Sequence, residues 1–393
     1  MNILLWIWAA LMVVIAGSPS TAQTSVESAQ QAFREDIHAA AGLTCRACHR
    51  ENASTYEIAR TSIAPLCATC HSDAAYMKGF DPQVRVDQYA QYLTSTHGKQ
   101  MSKGEIRVAT CSDCHGAHGI RKAADGQSPV APVNVARTCA RCHADPARMA
   151  PFGLQPTPFQ DWSASVHAAA LLKRGDLSAP TCSTCHGSHG ATPPGVTEVA
   201  NVCAQCHLRE ADLFRASPKK SIFDQMGQAE CLACHSNHRI EHPTDGWVGL
   251  KDPAVCTTCH DATTRGADTI VTIRSSLDQL TAAIERGDAV LVRAERAGML
   301  VDDGRAALRE AKEHQIQARV LVHTFATTPF QNIANQGLRT AGQAQVVGEA
   351  ALRELQVRRR GLLGATIVIL GFLVTLAVKI RRLGASRAPE RHQ

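Results

Sequence analysis

The stretch Thr110-Cys111-Ser112-Asp113-Cys114-His115-Gly116-Ala117-His118-Gly119 decides how the rest of the chain is read. It returns almost unchanged as Thr181-Cys182-Ser183-Thr184-Cys185-His186-Gly187-Ser188-His189-Gly190. Its kernel, Cys-x-x-Cys-His, occurs eight times and uses all 16 cysteines of the 393-residue chain. In order the copies are Cys45, Cys48 and His49; Cys67, Cys70 and His71; Cys111, Cys114 and His115; and Cys139, Cys142 and His143. Then follow Cys182, Cys185 and His186; Cys203, Cys206 and His207; Cys231, Cys234 and His235; and Cys256, Cys259 and His260.

This is the attachment pattern of c-type haem. The two thiols add to the porphyrin vinyl groups, and the adjacent histidine becomes an axial ligand of the iron. Zinc ribbons also pair CxxC motifs, but a zinc site does not require a histidine after every second cysteine. A disulfide framework would show irregular spacings without that histidine. A redox-active CxxC occurs once or twice, inside a βαβ pattern that is missing here. Eight covalent haems are therefore expected, with no cysteine left for a disulfide.

The length allows two domains. Hydrophobic residues make up 45% of the chain but aromatics only 4%, so side chains alone would build a thin core. Porphyrins, large flat apolar bodies, would supply the missing core. The expected fold is mainly α with long loops: a multihaem cytochrome c domain with short helices around each CxxCH and almost no sheet. The formal charge of +6 misleads, because sixteen haem propionates would carry it to about −10. No nucleic-acid partner follows from it.

Residues 1–22 read as a secretory signal, with the apolar run Ile3–Ala16 and a cleavage site at Ser20-Thr21-Ala22. The segment lacks Lys and Arg, which keeps an uncleaved anchor as the alternative. A second apolar run over 361–378 carries no charge and is just long enough to span a bilayer. Lys379, Arg381, Arg382, Arg387 and Arg391 follow it, and Arg358, Arg359 and Arg360 precede it. Haem is attached outside the bacterial cytoplasm, so the expected topology is a periplasmic haem domain with a single C-terminal anchor in the inner-membrane lipid. The expected organisation is signal 1–22, haem domain 23–262, helical bundle 263–360, transmembrane helix 361–380 and cytoplasmic tail 381–393.

The motifs group in twos, the starts within each pair lying 21–28 residues apart. The second pair opens with Ser95-Thr96-His97 and the third with Ser165-Val166-His167; each then carries the CHGxHG stretch and a second CxxCH. The flanking pairs are degenerate. The first keeps His38 upstream but has Arg50-Glu51-Asn52 in place of GxHG, and the fourth keeps His238. Degenerate ends are what a stacked repeat array shows. The SxH…TCxxCHGxHG…CxxCH unit resembles the multihaem c-type cytochromes of bacterial anaerobic respiration, over roughly residues 36–262. A looser likeness is to octahaem proteins similar to hydroxylamine oxidoreductase. The resemblance implies a wire of closely packed haems, with the GxHG and SxH histidines as distal iron ligands: His97, His118, His167 and His189. His38 and His238 are placed with them.

After His260 the pattern becomes helical, with amphipathic stretches at about 264–297, 301–326 and 331–360, broken near Gly298 and at Pro329. On the second, Ala307, Ala311, His314, Ala318, Leu321 and Phe325 form one stripe. The third runs on into the apolar span. An antiparallel three-helix stalk, or a docking surface for a partner, is expected.

Eight irons with two imidazoles each need eight distal histidines. His38, His97, His118, His167, His189, His238, His242 and His323 close that count, leaving His314 as a packed bundle histidine. With every iron closed the protein is an electron carrier of low potential. One open iron would instead suit a redox enzyme acting on nitrogen or sulfur oxyanions. The carrier reading implies a quinol-oxidising membrane subunit as donor, a b-type cytochrome or an iron–sulfur protein. It implies a periplasmic or outer-membrane acceptor.

Overall fold

The computed structural model describes residues 21–49, 57–195 and 198–385. Residues 1–20 of the expected signal, Arg50-Glu51-Asn52 of the first repeat, and Arg387, Arg391 and His392 of the tail lie outside the described residues. Among the described residues all regular structure is helical and no strand occurs. The expected fold class holds: short helices and long loops around the CxxCH motifs, then long helices.

Two compact units form, and they do not follow chain order. Among the described residues, one takes the chain up to Glu198 and regains it for His235–His242; the other takes Val199–Cys234 and the chain from Pro243 to Ala385. In the first unit, helices Arg60–His71 and Pro132–His143 end on the histidine of a CxxCH. Helices Cys111–His115 and Cys182–His186 are each a motif and nothing more. Other helices begin on buried caps. The Asp36 carboxylate accepts from the His38 amide, Ser95 Oγ from Gly98, and Ser165 Oγ from Ala168. Such caps contribute about 1 kcal/mol each. The side-chain core is small: Ala136, Trp162, Ala168, Ala170, Leu171 and Ala179 form its one sizeable buried cluster among the described residues.

The repeats are stitched by one recurring hydrogen bond. The Ile37 amide donates to the Ile120 carbonyl at 2.9 Å, Thr96 to Ala191 at 3.0 Å, and Val166 to Ile240 at 2.9 Å. Each donor directly precedes an upstream histidine (His38, His97, His167). Each acceptor lies two residues past the trailing histidine of the following repeat (His118, His189, His238). Asp36 adds a second stitch, accepting from the Ile120 amide at 2.7 Å.

The second unit contains the expected bundle, built from helices Ala267–Arg296, Asp302–Leu321 and Thr327–Ala385. The first reversal is at Gly298 (φ +79°), where the Met299 amide returns to the Ala294 carbonyl at 3.0 Å, closing the helix with a left-handed glycine. Pro329 does not break the third helix, because it falls in the first turn, where its missing N–H has no intrahelical acceptor. Small residues let the helices approach: a Cβ on Gly348 would meet Val290 Cγ1 at 2.6 Å, and one on Gly304 would meet Leu291 Cδ2 at 2.5 Å. The buried stripe of the second helix is Gly304, Leu308, Ala311, Gln315 and Ala318. It is rotated from the expected one: Ala307 and Leu321 are only partly buried, His314 lies on the flank, and Phe325 is outside the helix. Gln315 can face inward because its amide donates to Thr281 Oγ1 at 2.7 Å. The third helix continues beyond the bundle for a total of 59 residues. From Leu362 its apolar side chains are exposed, and it is long and apolar enough to cross a membrane.

Asp245 ties the segment before the bundle to two of its helices. Its carboxylate accepts from Arg319 Nε at 2.8 Å, Arg319 Nη2 at 2.9 Å and Thr281 Oγ1 at 3.2 Å. The Arg319 hydrogen bond holds the Asp245 carboxyl below its usual range. A depressed carboxyl contributes stability above the unfolded-state pKa of about 3.9 and loses it as pH falls through the folded value. Asp245→Asn is therefore expected to cost about 1 kcal/mol at pH 7. Denaturant titration of both proteins should show that difference persisting at pH 5 and closing in more acid solution.

Candidate haem-binding sites

Each motif is one helical turn. The amides of His49, His207 and His260 return to the carbonyls of Cys45, Cys203 and Cys256 at 2.8–2.9 Å. Thiols three residues apart thus share one face. In the CHG motifs the chain must leave sharply after the histidine. Gly116 (φ 86°, ψ 166°) and Gly187 (φ 81°, ψ 159°) take a conformation open essentially to glycine alone. That exit sends His118 and His189 away from their own motif. In the fourth repeat Ser236 takes the position at φ +59°, its hydroxyl donating to the Arg239 carbonyl at 2.8 Å.

Five motif histidines face a histidine from elsewhere in the chain. Ring centroids are 5.9 Å apart for His71 and His38, 6.1 Å for His49 and His118, and 6.1 Å for His143 and His97. They are 6.1 Å apart for His115 and His189, and 6.0 Å for His186 and His238. A metal–imidazole bond of about 2 Å and a nitrogen-to-centroid distance of about 1.1 Å put two trans imidazoles about 6.2 Å apart. The interplanar angles range from 7° to 84° while the separations stay within 5.9–6.1 Å. Rotation about an axis through a shared metal changes the angle and leaves the distance alone; ring stacking would constrain both. The slots therefore fit an iron between two imidazoles.

The pairing follows the repeats in a way that sequence proximity hides. His38 and His97 face the second motif of their own repeat, through His71 and His143. His118, His189 and His238 face the first motif of the preceding repeat, through His49, His115 and His186. Each trailing histidine thus crosses a repeat boundary, where the recurring amide–carbonyl stitch holds the register.

Ring orientation is set by partners on Nδ1. Asp36 Oδ1 lies 2.9 Å from His38 Nδ1, the Thr192 carbonyl 3.3 Å from His186 Nδ1, and the Val320 carbonyl 2.9 Å from His323 Nδ1. With a proton held on Nδ1, Nε2 presents its lone pair, as a metal-ligating imidazole does. Burial pushes the imidazoles of His71, His97, His115, His143, His189 and His238 down. Charge on the facing ring pushes His71, His97, His115 and His238 further the same way. The neutral ring is the ligating form.

The thiols run in file within each unit. Cys67 lies within hydrogen-bonding reach of Cys111, and Cys139 of Cys182. In the second unit Cys203 reaches Cys231 in the same way. These junctions join the second motif of one pair to the first of the next, so the tightest approaches fall between the sequence pairs. Within pairs the thiols still feel one another: Cys48 feels Cys67 and Cys70, Cys114 feels Cys139 and Cys142, and Cys234 feels Cys256 and Cys259.

The remaining candidates are placed by their own elements. His167 occupies, in the Ser165-capped helix Val166–Arg174, the place that His97 holds in Thr96–Ser102. His207 caps Leu208–Arg215, His235 ends Leu232–His235, and His242 closes the returning segment His235–His242. His323 sits in the turn Val322–Thr324 at the end of the second bundle helix. His314 stays in the bundle, its Nδ1 buried without a hydrogen-bond partner. At the eighth motif the group facing the histidine is a lysine: Lys219 Nζ lies 2.7 Å from His260 Nε2. Lys219 is not among the residues that the histidine count singles out; its signal is positional, at the third place of Ser217-Pro218-Lys219.

A family model described as cytochrome c3 matches residues 37–144 and 176–261. The chain is similar to the multiheme cytochrome MtrA of Shewanella baltica, with 26% identity over 224 residues, covering 51% of this chain and 58% of that one. It is similar to the nine-heme cytochrome c of Desulfovibrio desulfuricans, with 30% identity over 89 residues, or 22% of each chain. The chain thus spans less than two thirds of the length of either relative. No solved structure matches it.

The glycine exits give a direct test of the site's construction. Gly116→Ala or Gly187→Ala should lower stability by at least about 1–2 kcal/mol, the cost of forcing an L-residue to positive φ. Thermal unfolding of the haem-loaded protein should read this as a lowered midpoint. Gly126→Ala, in open space at negative φ, should leave it unmoved.

Proposed function

Because this chain is a multihaem c-type cytochrome with covalently attached haems, we propose that it holds eight of them and relays electrons along them at a membrane. The observation that carries this reading is the set of five imidazole pairs at 5.9–6.1 Å. Haem iron bound at such a site supplies one-electron redox chemistry. The chain contributes the thiols that tether each haem and the imidazoles that close both axial positions. Closed positions leave no place for substrate, which favours a carrier over a catalyst.

His49, His71, His115, His143 and His186 serve as proximal ligands, with His118, His38, His189, His97 and His238 opposite them. His207, His235 and His260 are proximal at the other three motifs, and His167, His242 and His323 remain distal candidates. Imidazole pairs hold haem potentials below those of His/Met ligation, as a low-potential respiratory chain requires.

The long apolar C-terminal helix anchors the protein in the bacterial inner membrane, with its haems in the periplasm and residues 1–22 acting as the export signal. The file of neighbouring thiols and facing imidazoles from motif to motif gives electrons a path within each unit. The donor is a quinol-oxidising membrane subunit, of b-type cytochrome or iron–sulfur kind, and the acceptor is a periplasmic or outer-membrane protein. The anchor helix contributes no histidine between Leu362 and Leu383 to hold a haem of its own.

Mass spectrometry of the protein from a haem-attaching host should find eight added haems; an unmodified chain or bound zinc would refute the proposal. Substituting His118→Met should raise the potential of one haem in a redox titration, and it should be the haem on Cys45 and Cys48. If the potentials do not change, His118 is not a ligand. The purified protein alone should not oxidise quinol in detergent; rapid turnover would remove the need for a membrane partner.

A further inference from the structure

At its upstream position the fourth repeat departs from the other three. Where they carry Asp36-Ile37-His38, Ser95-Thr96-His97 and Ser165-Val166-His167, it carries Ser217-Pro218-Lys219. The local structure is otherwise kept. Ser217 is buried like the other three caps, accepts from the Lys219 amide at 3.2 Å, and starts helix Pro218–Met226. The change to Pro218 has a physical reason. The residues at that position in the first three repeats, Ile37, Thr96 and Val166, spend their amide on the carbonyl of the following repeat. Proline has no amide to give, and after His260 the chain passes into the bundle helix at Ala267 rather than into another motif.

The upstream histidine faces the second motif of its own repeat in the two cases where both partners are seen, His38 with His71 and His97 with His143. The second motif of the fourth repeat ends on His260. The group at the equivalent upstream position is Lys219, and its Nζ is aimed at His260 Nε2 at 2.7 Å. The neighbouring Lys220 behaves as a surface lysine, paired with Asp224 at 2.6 Å and Glu230 at 3.2 Å. Lys219 instead has its tip 5.9 Å from the Phe325 ring centre, which packs on Phe214 and through it on Phe223.

We propose that Lys219 is the second axial ligand of the haem on Cys256, Cys259 and His260, making it a lysine–histidine haem in an array otherwise closed by imidazoles. This rests on reading the facing histidines as axial pairs. Two bonds of about 2 Å place trans ligand nitrogens about 4 Å apart. The amine need therefore withdraw by only about 1.3 Å from its hydrogen-bonded position, well within the reach of a flexible four-carbon stem. A primary amine differs from imidazole as an electron donor, so this haem should be spectroscopically and electrochemically distinct from the others.

The test uses full-length haem-loaded protein. In the oxidised wild type, EPR and near-infrared magnetic circular dichroism should show only low-spin haem, one of eight with a lysine–histidine signature. Lys219→Ala should convert one equivalent to high-spin ferric haem that binds added cyanide, with the other seven unchanged and all eight still attached by mass. Lys219→His should restore an all-low-spin spectrum of bis-histidine type. A wild type that already holds one high-spin equivalent, or a Lys219→Ala spectrum identical to wild type, would overturn the assignment. Either result would leave the five imidazole pairs standing, whereas loss of low-spin signal at several haems of the wild type would bring down the wider reading instead.

Discussion

Imidazole pairs held 6 Å apart, three of the five joining different repeats, constrain everything else in the haem-binding part of this chain. A trailing histidine must cross a repeat boundary to face its partner, so the repeats must dock in one register. The Ile37–Ile120, Thr96–Ala191 and Val166–Ile240 hydrogen bonds provide that register. The buried caps Asp36, Ser95 and Ser165 fix the helix turn from which the upstream histidine is presented, and Gly116 and Gly187 turn the chain so that the trailing histidine can leave. Few large side chains are buried in this part of the chain, so haems held at the imidazole pairs would supply much of its core.

An interlocking array needs a way to stop. In this chain the last upstream position carries a residue with no amide to donate and a side chain other than histidine, Pro218 and Lys219. The second unit then builds its core from side chains. Leu280, Leu291, Ala311, Ala341 and Ala344 are fully buried in the bundle, in contrast with the small cluster around Leu171 and Trp162. The change from a sparse to an extensive side-chain core is visible in the sequence as the change from CxxCH spacing to helical periodicity.

How much of this is legible before the structure depends on the range of the interaction. The CxxCH turns, the three bundle helices and the reversal at Gly298 are local, and the sequence states them directly. The candidates His38, His97, His118, His189 and His238 are also local in origin: the trailing ones follow a motif histidine by three residues, and the upstream ones lie 7 and 14 residues before a motif. Which motif each one faces is not legible. His118 is three residues from His115 and yet stands opposite His49, because that choice is made by docking between repeats. Lys219 escapes a search for histidines, although its Ser217 cap marks the position. The inner face of the second bundle helix is misplaced by one residue because Gln315, polar by type, is buried through its bond to Thr281. In each case the missing information is a long-range contact that residue type does not encode.

The most direct test of the central claim is an experimental structure of the haem-loaded protein that resolves the iron on Cys45 and Cys48. The account predicts His49 and His118 as its two axial ligands, with His118 reaching back from the following repeat. If His118 were bound to the iron of its own motif at Cys111 and Cys114, or to none, while another side chain closed the first iron, the cross-repeat pairing on which the reading rests would be contradicted.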